Sequence, residues 1–225
     1  MIRPVRAARC VVLLSGGLDS AANLAFCDDD KKPVLALTVD YGQRAAVPEI
    51  EASRALCEYY RVTHRTLCLP WLGELGGSSL TDSSKQMPEL SREQLDRPEI
   101  TRESAHAVWV PNRNGVLIHV AAAFAESSEA SEVIVGFNKE EAATFPDNSL
   151  EYLKRVNEAL SLSTSTRVQV RSYTVEWNKA EMVGHLRNLR REFPFEHVWS
   201  CYFGGSQRCG RCESCRRFAR AIERV

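Results

Sequence analysis

Short, uninterrupted apolar runs alternate along the chain with longer stretches of helical character. CVVLL (Cys10–Leu14), a short apolar run stopped by the glycines just after Ser15, predicts a fully buried strand. VLALTVDY (Val34–Tyr41), the alternating RTLCLP (Arg65–Pro70) and EVIVGFN (Glu132–Asn138) predict three more. Between them, a helix is expected over Ala21–Phe26, opening at a glycine turn, and another over Pro48–Tyr60, helical by residue type although its periodicity is poor. Asn114–Glu126 is apolar on nearly every side and predicts a buried helix. Ser149 can cap a helix bearing Leu150, Leu153, Val156 and Leu160 on one side. Asn178 with Glu181 resembles a capping box before Met182, Val183, Leu186 and Leu189, and RVQVRSYTV (Arg167–Val175) predicts a strand between these two helices. Strand then helix, repeated, specifies a Rossmann-like parallel sheet with helices on both faces. Ser83–Ala107 is polar, charged and aperiodic, and predicts a long loop: a lid, a binding loop or disorder.

In such sheets ligands bind beyond the carboxyl ends of the strands. SGGLDS follows the first strand, DYGQR the second and GFNKEE the fourth. A tight glycine turn between strand and helix aims backbone N–H groups at one point, where the helix dipole adds positive charge, so Ser15–Ser20 is a candidate phosphate site. The dinucleotide pattern G-x-G-x-x-G is absent, and the kinase-type pattern fails because Asp19-Ser20 stands where lysine is required. Ser15 and Ser20 can donate to phosphate oxygens, and Asp19 can hold Mg²⁺ against them. In VPNRNG, Pro111 and Gly115 fix a turn from which Arg113 offers its five-donor fork to an anion. GFNKEEAATFPDNS places Lys139 and Asp147 on a loop beyond the fourth strand.

Charge changes this picture little: 29 lysines and arginines balance 29 aspartates and glutamates, which weighs against a stable nucleic-acid complex. No apolar run approaches the ~18 residues of a membrane span, and the run after the basic start MIRPVRAARC is too short for a secretory signal, so a cytoplasmic protein is expected. Cysteine changes it more. Four of the eight, Cys10, Cys27, Cys57 and Cys68, are scattered, and they look embedded in apolar or helical surroundings. Cys201, Cys209, Cys212 and Cys215 fall in a C-x7-C-x2-C-x2-C pattern that can close around one tetrahedral ion with no open position. A structural Zn²⁺ knuckle over residues 196–225, stapled to a domain of residues 1–195, is the expected organisation, with an iron–sulfur cluster as the competing ligand. The five histidines lie apart, and none is assigned to catalysis.

LSGGLDS resembles the pyrophosphate loop of the PP-loop ATP pyrophosphatase superfamily, whose adenine nucleotide alpha hydrolase-like fold agrees with the sheet predicted above. The resemblance implies that Leu14, Ser15, Gly16, Gly17, Leu18, Asp19, Ser20 and Ala21 bind ATP and that adenine lies near Thr38, Val39 and Asp40. SGGLDS, DYGQR, GGSSLTD, VPNRNG, GFNKEEAATFPDN and WSCYFGG…CGRCESC together resemble, in order and over nearly the whole chain, the 7-cyano-7-deazaguanine synthase family of the queuosine pathway. That likeness implies that 7-carboxy-7-deazaguanine and ammonia become a nitrile at the expense of two ATP, in a homodimer that uses Mg²⁺ and Zn²⁺. It implies catalytic roles for Asp19, Arg113 and Lys139, contact of Arg113 and Lys139 with phosphates or the substrate carboxylate, and contact of Asp147 with the guanine-like N–H edge. Alternatives are a relative that joins the deazaguanine acid to another amine, an NAD synthetase or tRNA thiolase of the same superfamily, and a zinc-ribbon module touching RNA through RCESCRRFARAIER.

Overall fold

The computed structural model describes residues 9–30 and 32–224; the first eight positions of the basic N-terminal stretch lie outside it. The chain runs β1 (Arg9–Leu13), α1 (Leu18–Asp30), β2 (Lys32–Asp40), α2 (Ala46–Tyr60), β3 (His64–Cys68) and a short α3 (Pro70–Glu74). It continues through α4 (Pro98–Ala107), α5 (Arg113–Ser127), β4 (Glu132–Ile134), α6 (Lys139–Ala142), α7 (Leu150–Ser163), β5 (Gln169–Arg171), α8 (Lys179–Arg187) and α9 (Glu213–Glu223).

The five strands form one parallel sheet in the order β3-β2-β1-β4-β5. β1 is central, and its uninterrupted apolar run reflects burial from both sides. Cys10, Val12 and Leu14 pack with α1, α2 and α8, while Val11 packs with α5 and α7. The strand order reverses at β1, so the loops after β1 and β4 part and leave a crevice at the carboxyl edge. This is the Rossmann-like α/β sheet that the apolar pattern specifies.

Three differences from the expected elements have physical causes. β4 and β5 are three residues each, shorter than their apolar runs. Beyond β5, side chains replace the ladder: buried Asn23 of α1 accepts from Tyr173 N at 2.7 Å and donates to Thr174 Oγ1 at 2.6 Å. α1 starts at Leu18, three residues before the expected start, because Leu18 is already buried under the sheet. The segment Ser83–Ala107 is not a bare loop: it holds a 3-10 turn at Glu93–Asp96 and the whole of α4. The residues α4 buries are Thr101, Ser104 and Ala105, which leave no apolar period to read. Ion pairs fasten this segment to α9, a helix the apolar pattern left unmarked: Arg220 meets Asp96 at 2.7 Å, Arg92 pairs with Glu223, and Ser104 donates to Glu213.

Cys10, Cys27 and Cys57 are buried as expected, whereas Cys68 is exposed on β3, the sheet edge. Among the described residues no helix is long and apolar enough to cross a membrane.

Both caps read from the sequence form. Asn178 and Glu181 complete a reciprocal capping box on α8, and the Ser149 hydroxyl accepts from Tyr152 N at 3.1 Å at the start of α7. Ser149→Ala is expected to cost about 1 kcal/mol by orphaning that N–H. Chemical denaturation of the variant beside the parent protein measures it.

Candidate active site

The chain passes from β1 to α1 through Leu14–Gly17. Two glycines make this bend possible. Gly16 has φ +75°, and a Cβ there would fall 2.8 Å from Ala52 Cβ and 2.9 Å from the Glu49 carbonyl oxygen. Gly136, just past β4, presses against the other side of the bend, where a Cβ would meet Ser20 N at 2.5 Å and Ser20 Cα at 2.7 Å. The bend is therefore clamped between α2 and the end of β4, and only hydrogen fits at either contact. Ser15 N donates to Ser20 Oγ at 3.1 Å, the two hydroxyls lie 3.1 Å apart, and Ala21 N donates to Gly17 O at 2.9 Å. A third wall comes from the segment before the cysteine cluster: Trp199 N donates to Gly16 O at 2.8 Å, and Leu18 N to Ser200 Oγ at 3.2 Å.

Above this bend opens a cleft. Leu14, Ser15, Gly17, Leu18, Asp19 and Ser20 line it, and so do Val39, Arg113 and Asp147. Gly16 and Ala21 are buried behind the lining. Thr38 is buried too, its hydroxyl donating to Leu14 O at 2.7 Å and meeting His64 Nε2 at 2.8 Å, so among Thr38, Val39 and Asp40 only Val39 faces the cleft. Asp40 is occupied by Gly42 N at 2.9 Å. Lys139 is exposed and outside the lining.

The lysine in the cleft is Lys179, and the sequence reading did not single it out. Its ammonium donates to Asp19 and, at 3.0 Å, to Glu141 Oε1, and its backbone N donates to Glu140 Oε1 at 3.0 Å. Burial pushes the Asp19 carboxyl up to about 6 against the pull of Lys179. Burial also raises Glu141, but there Lys179 outweighs it and holds the carboxyl below its usual range. Asp19 Oδ1 is buried and has no hydrogen-bond partner. Such an oxygen is rare in a folded protein unless a ligand or ion completes it, and a divalent cation bridging to phosphate oxygens fits that donor.

Across the cleft Arg113, at the first turn of α5, donates to Tyr41 Oη at 3.3 Å. Burial opposes its charge, but Tyr41, Asp147 and Glu49 outweigh that and raise its pKa further. Asp147 is raised by burial against the opposing charge of Arg113. Glu49, a cleft carboxylate that the motifs did not flag, accepts from Gln43 Nε2 at 2.9 Å, and burial pushes it up to about 7. Gln43 also accepts from Tyr41 N at 2.8 Å and donates to Val39 O at 3.1 Å, which is the local reason for glutamine in DYGQR.

At the cleft's rim the four thiols of Cys201, Cys209, Cys212 and Cys215 lie within 4.8 Å of one another, with Cys209 and Cys215 Sγ 3.8 Å apart. Tetrahedral Zn–S bonds of ~2.3 Å put sulfurs about 3.8 Å apart, so this donor set fits one such ion. Backbone N–H groups of Phe203 and Cys209 point at Cys201 Sγ at 3.4 Å, and that of Cys212 at Cys209 Sγ at 3.3 Å, as thiolates require.

A parallel α/β sheet with a glycine-clamped bend at its switch point, a cleft lined by opposed charges, and a four-cysteine knuckle on its rim define an α/β protein with a candidate phosphate site at the carboxyl edge of its sheet. The chain belongs to the family of the queuosine biosynthesis protein QueC, whose family model matches residues 9–225. Its relatives agree. It is 48% identical over 212 residues to the 7-cyano-7-deazaguanine synthase of Desulforamulus reducens, covering 94% of this chain and 92% of that protein. It is 49% identical over 215 residues to that of Pelotomaculum thermopropionicum, covering 96% of each. With that of Methanosarcina barkeri it shares 47% over 218 residues, 96% of this chain and 94% of the other. The family resemblance carried by the motifs is the family found.

Two outcomes follow from this geometry. Gly136→Ala drives a methyl into the Ser20 backbone, so a loss of about 1–3 kcal/mol together with weakened ATP binding is expected, read by thermal melting and nucleotide titration. Glu49 gives the second. Its folded pKa lies near 7, above the ordinary 4.5, so the stability it contributes is fully present below about 4.5 and is lost as pH rises through 7. Melting temperatures from pH 4.5 to 7.5 should therefore fall for the parent protein relative to Glu49→Gln.

Proposed function

We propose that this protein converts 7-carboxy-7-deazaguanine and ammonia to 7-cyano-7-deazaguanine, the product its relatives are named for, and that it spends two ATP doing so. A carboxylate has no usable leaving group. Transfer of AMP to its oxygen with release of pyrophosphate supplies one, and ammonia then displaces AMP to give the amide. Adenylation of the amide oxygen, followed by loss of AMP and protons, leaves the nitrile. Each adenylation accumulates negative charge on departing pyrophosphate, and fixed donors and cations that meet this charge are the main catalytic contribution.

Each group has a place in this scheme. The Ser15–Ser20 bend, with Ser15, Gly16, Gly17 and Ser20, cradles the pyrophosphate, and Asp19 holds Mg²⁺ beside it. The unpartnered Asp19 Oδ1 at the head of that bend carries this reading. Lys179 keeps the Asp19 carboxylate oriented. Arg113 faces the substrate carboxylate, and Asp147 accepts from the guanine-like N–H edge. Cys201, Cys209, Cys212 and Cys215 hold a structural Zn²⁺, so residues 196–225 act as a subdomain packed on residues 1–195. The same reading places a homodimer in the cytoplasm.

The RNA-binding alternative loses its main support. Arg217 pairs with Glu140 at 2.9 Å and Glu213 at 2.8 Å, Arg220 pairs with Asp96, and Arg211 with Glu89 at 2.7 Å. Arg217 and Arg220 of the C-terminal basic run are thus spent inside the fold.

Incubation with 7-carboxy-7-deazaguanine, ATP, Mg²⁺ and ammonium is expected to give the nitrile, AMP and pyrophosphate by mass spectrometry. Asp19→Asn should lower kcat at least tenfold. Release of ADP and orthophosphate in place of AMP would overturn the reading.

A further inference from the structure

Two aromatic side chains that this chemistry leaves unused, Trp109 and Phe145, line the same cleft. Their rings are nearly parallel, 9° between planes, with centroids 6.1 Å apart. That is offset stacking, in which the two rings present parallel faces to the cleft. Trp109 stands between α4 and α5, and Phe145 between α6 and the turn Pro146–Asn148. The backbone fixes Phe145 on both sides: its N donates to Glu141 O at 2.8 Å, and its carbonyl accepts from Asn148 N at 3.0 Å. Phe145 also packs on the apolar cluster of Tyr41, Val108 and Val110, so the pair is supported from beneath while both rings stay partly exposed to the cleft. Two residues past Phe145, Asp147 lines the cleft as well, one of its oxygens accepting from Asn148 Nδ2 at 3.3 Å.

We propose that Trp109 and Phe145 are the stacking platform for the 7-deazaguanine ring, and that they set specificity for a flat bicyclic acid. This deepens the function proposed above and rests on it. The neighbouring carboxylate decides which heterocycle the platform takes. A guanine-type edge presents two adjacent N–H donors, which one carboxylate can accept together. An adenine edge alternates an acceptor with a donor, and a carboxylate beside it would face a lone pair. Base-on-aromatic stacking tolerates any flat ring, so the platform supplies affinity and Asp147 supplies the choice.

The test separates the two ends of the cleft. 7-Carboxy-7-deazaguanine added without ATP is expected to quench the protein's tryptophan fluorescence; Trp109→Phe should abolish the quench, and Trp71→Phe, a change on the exposed helix α3, should keep it. In steady state Trp109→Ala and Phe145→Ala should each raise KM for the acid roughly tenfold, with KM for ATP unchanged. Trp109→Phe, which keeps a ring, should raise it less. An unchanged KM for the acid in both alanine variants overturns the proposal. So does a rise in KM for ATP instead, which would assign the platform to adenine, or an equal rise in both with a lowered melting temperature, which would make the pair core filler. A parent protein that makes nitrile while the variants bind the acid normally sinks the platform alone. A parent protein that neither binds nor converts the acid sinks the underlying function.

Discussion

The candidate active site rests on a contact between backbones. Where β4 ends, Gly136 lies so close to Asp19 and Ser20 that one added carbon would overlap the main chain of the bend, and Gly16 meets α2 from the other side at similar range. Packing fixes the backbone of this bend from both sides, while the hydroxyls of Ser20 and Ser200 hold the N–H groups of Ser15 and Leu18. Preorganised donors of this kind stabilise charge as it develops without first reorienting, which is where most of their catalytic worth lies. The two glycines thus set the geometry of the bend that carries Ser15, Asp19 and Ser20.

Charge is distributed around that bend with similar economy. Lys179 sits between Asp19 and Glu141, one cation serving two carboxylates. The neighbouring Glu140 holds both the Lys179 backbone and Arg217, and Arg217 in turn holds Glu213, which accepts from Ser104 of α4. These groups are largely buried, so removing one member strands another, and such losses typically run to about 3–5 kcal/mol. The network is directional. It runs from the bend, through the start of α6 and α8, to the helix that carries Cys215, and ends on the segment that leads to Trp109.

The legible parts of this molecule were those written in continuous apolar runs or in glycine. The central strands, the buried α5 and the bend at Ser15–Ser20 announce themselves because burial on both faces or a forbidden Cβ leaves only a few residue types. The Asn178 capping box was legible for a similar reason, yet it concealed Lys179: the lysine at the first helical position reads as ordinary surface until β5 and α8 bring it beneath α1. Lys139 drew attention through its place in GFNKEE, but its backbone N donates to Trp177 O at the start of α6 and its side chain is left exposed. α4 was hidden because it turns hydroxyls and alanine inward, toward Glu213 of α9, and hydrogen bonding leaves no hydrophobic period. Thr38 and Asp40 stand at the expected strand end, but their side chains are consumed by Leu14, His64 and Gly42, a detail of long-range pairing that no local pattern encodes.

The cysteine knuckle belongs to the same mechanical unit as the phosphate-type bend. Trp199 and Ser200, the two residues immediately before Cys201, bond respectively to Gly16 O and Leu18 N, and the Trp199 indole closes back on Cys201 O at 3.1 Å. At its far end the knuckle passes into α9, whose Ala221 is buried in the core formed by β1, α1 and α8. A segment pinned at both ends by the main domain has little freedom left, so closing the four thiols about one centre costs less loop entropy than it would in an isolated ribbon. The coupling also runs in reverse. Whatever fixes Cys201 fixes Ser200, and so the N–H of Leu18 at the first turn of α1; the order of the C-terminus and the order of the anion bend are two ends of one constraint.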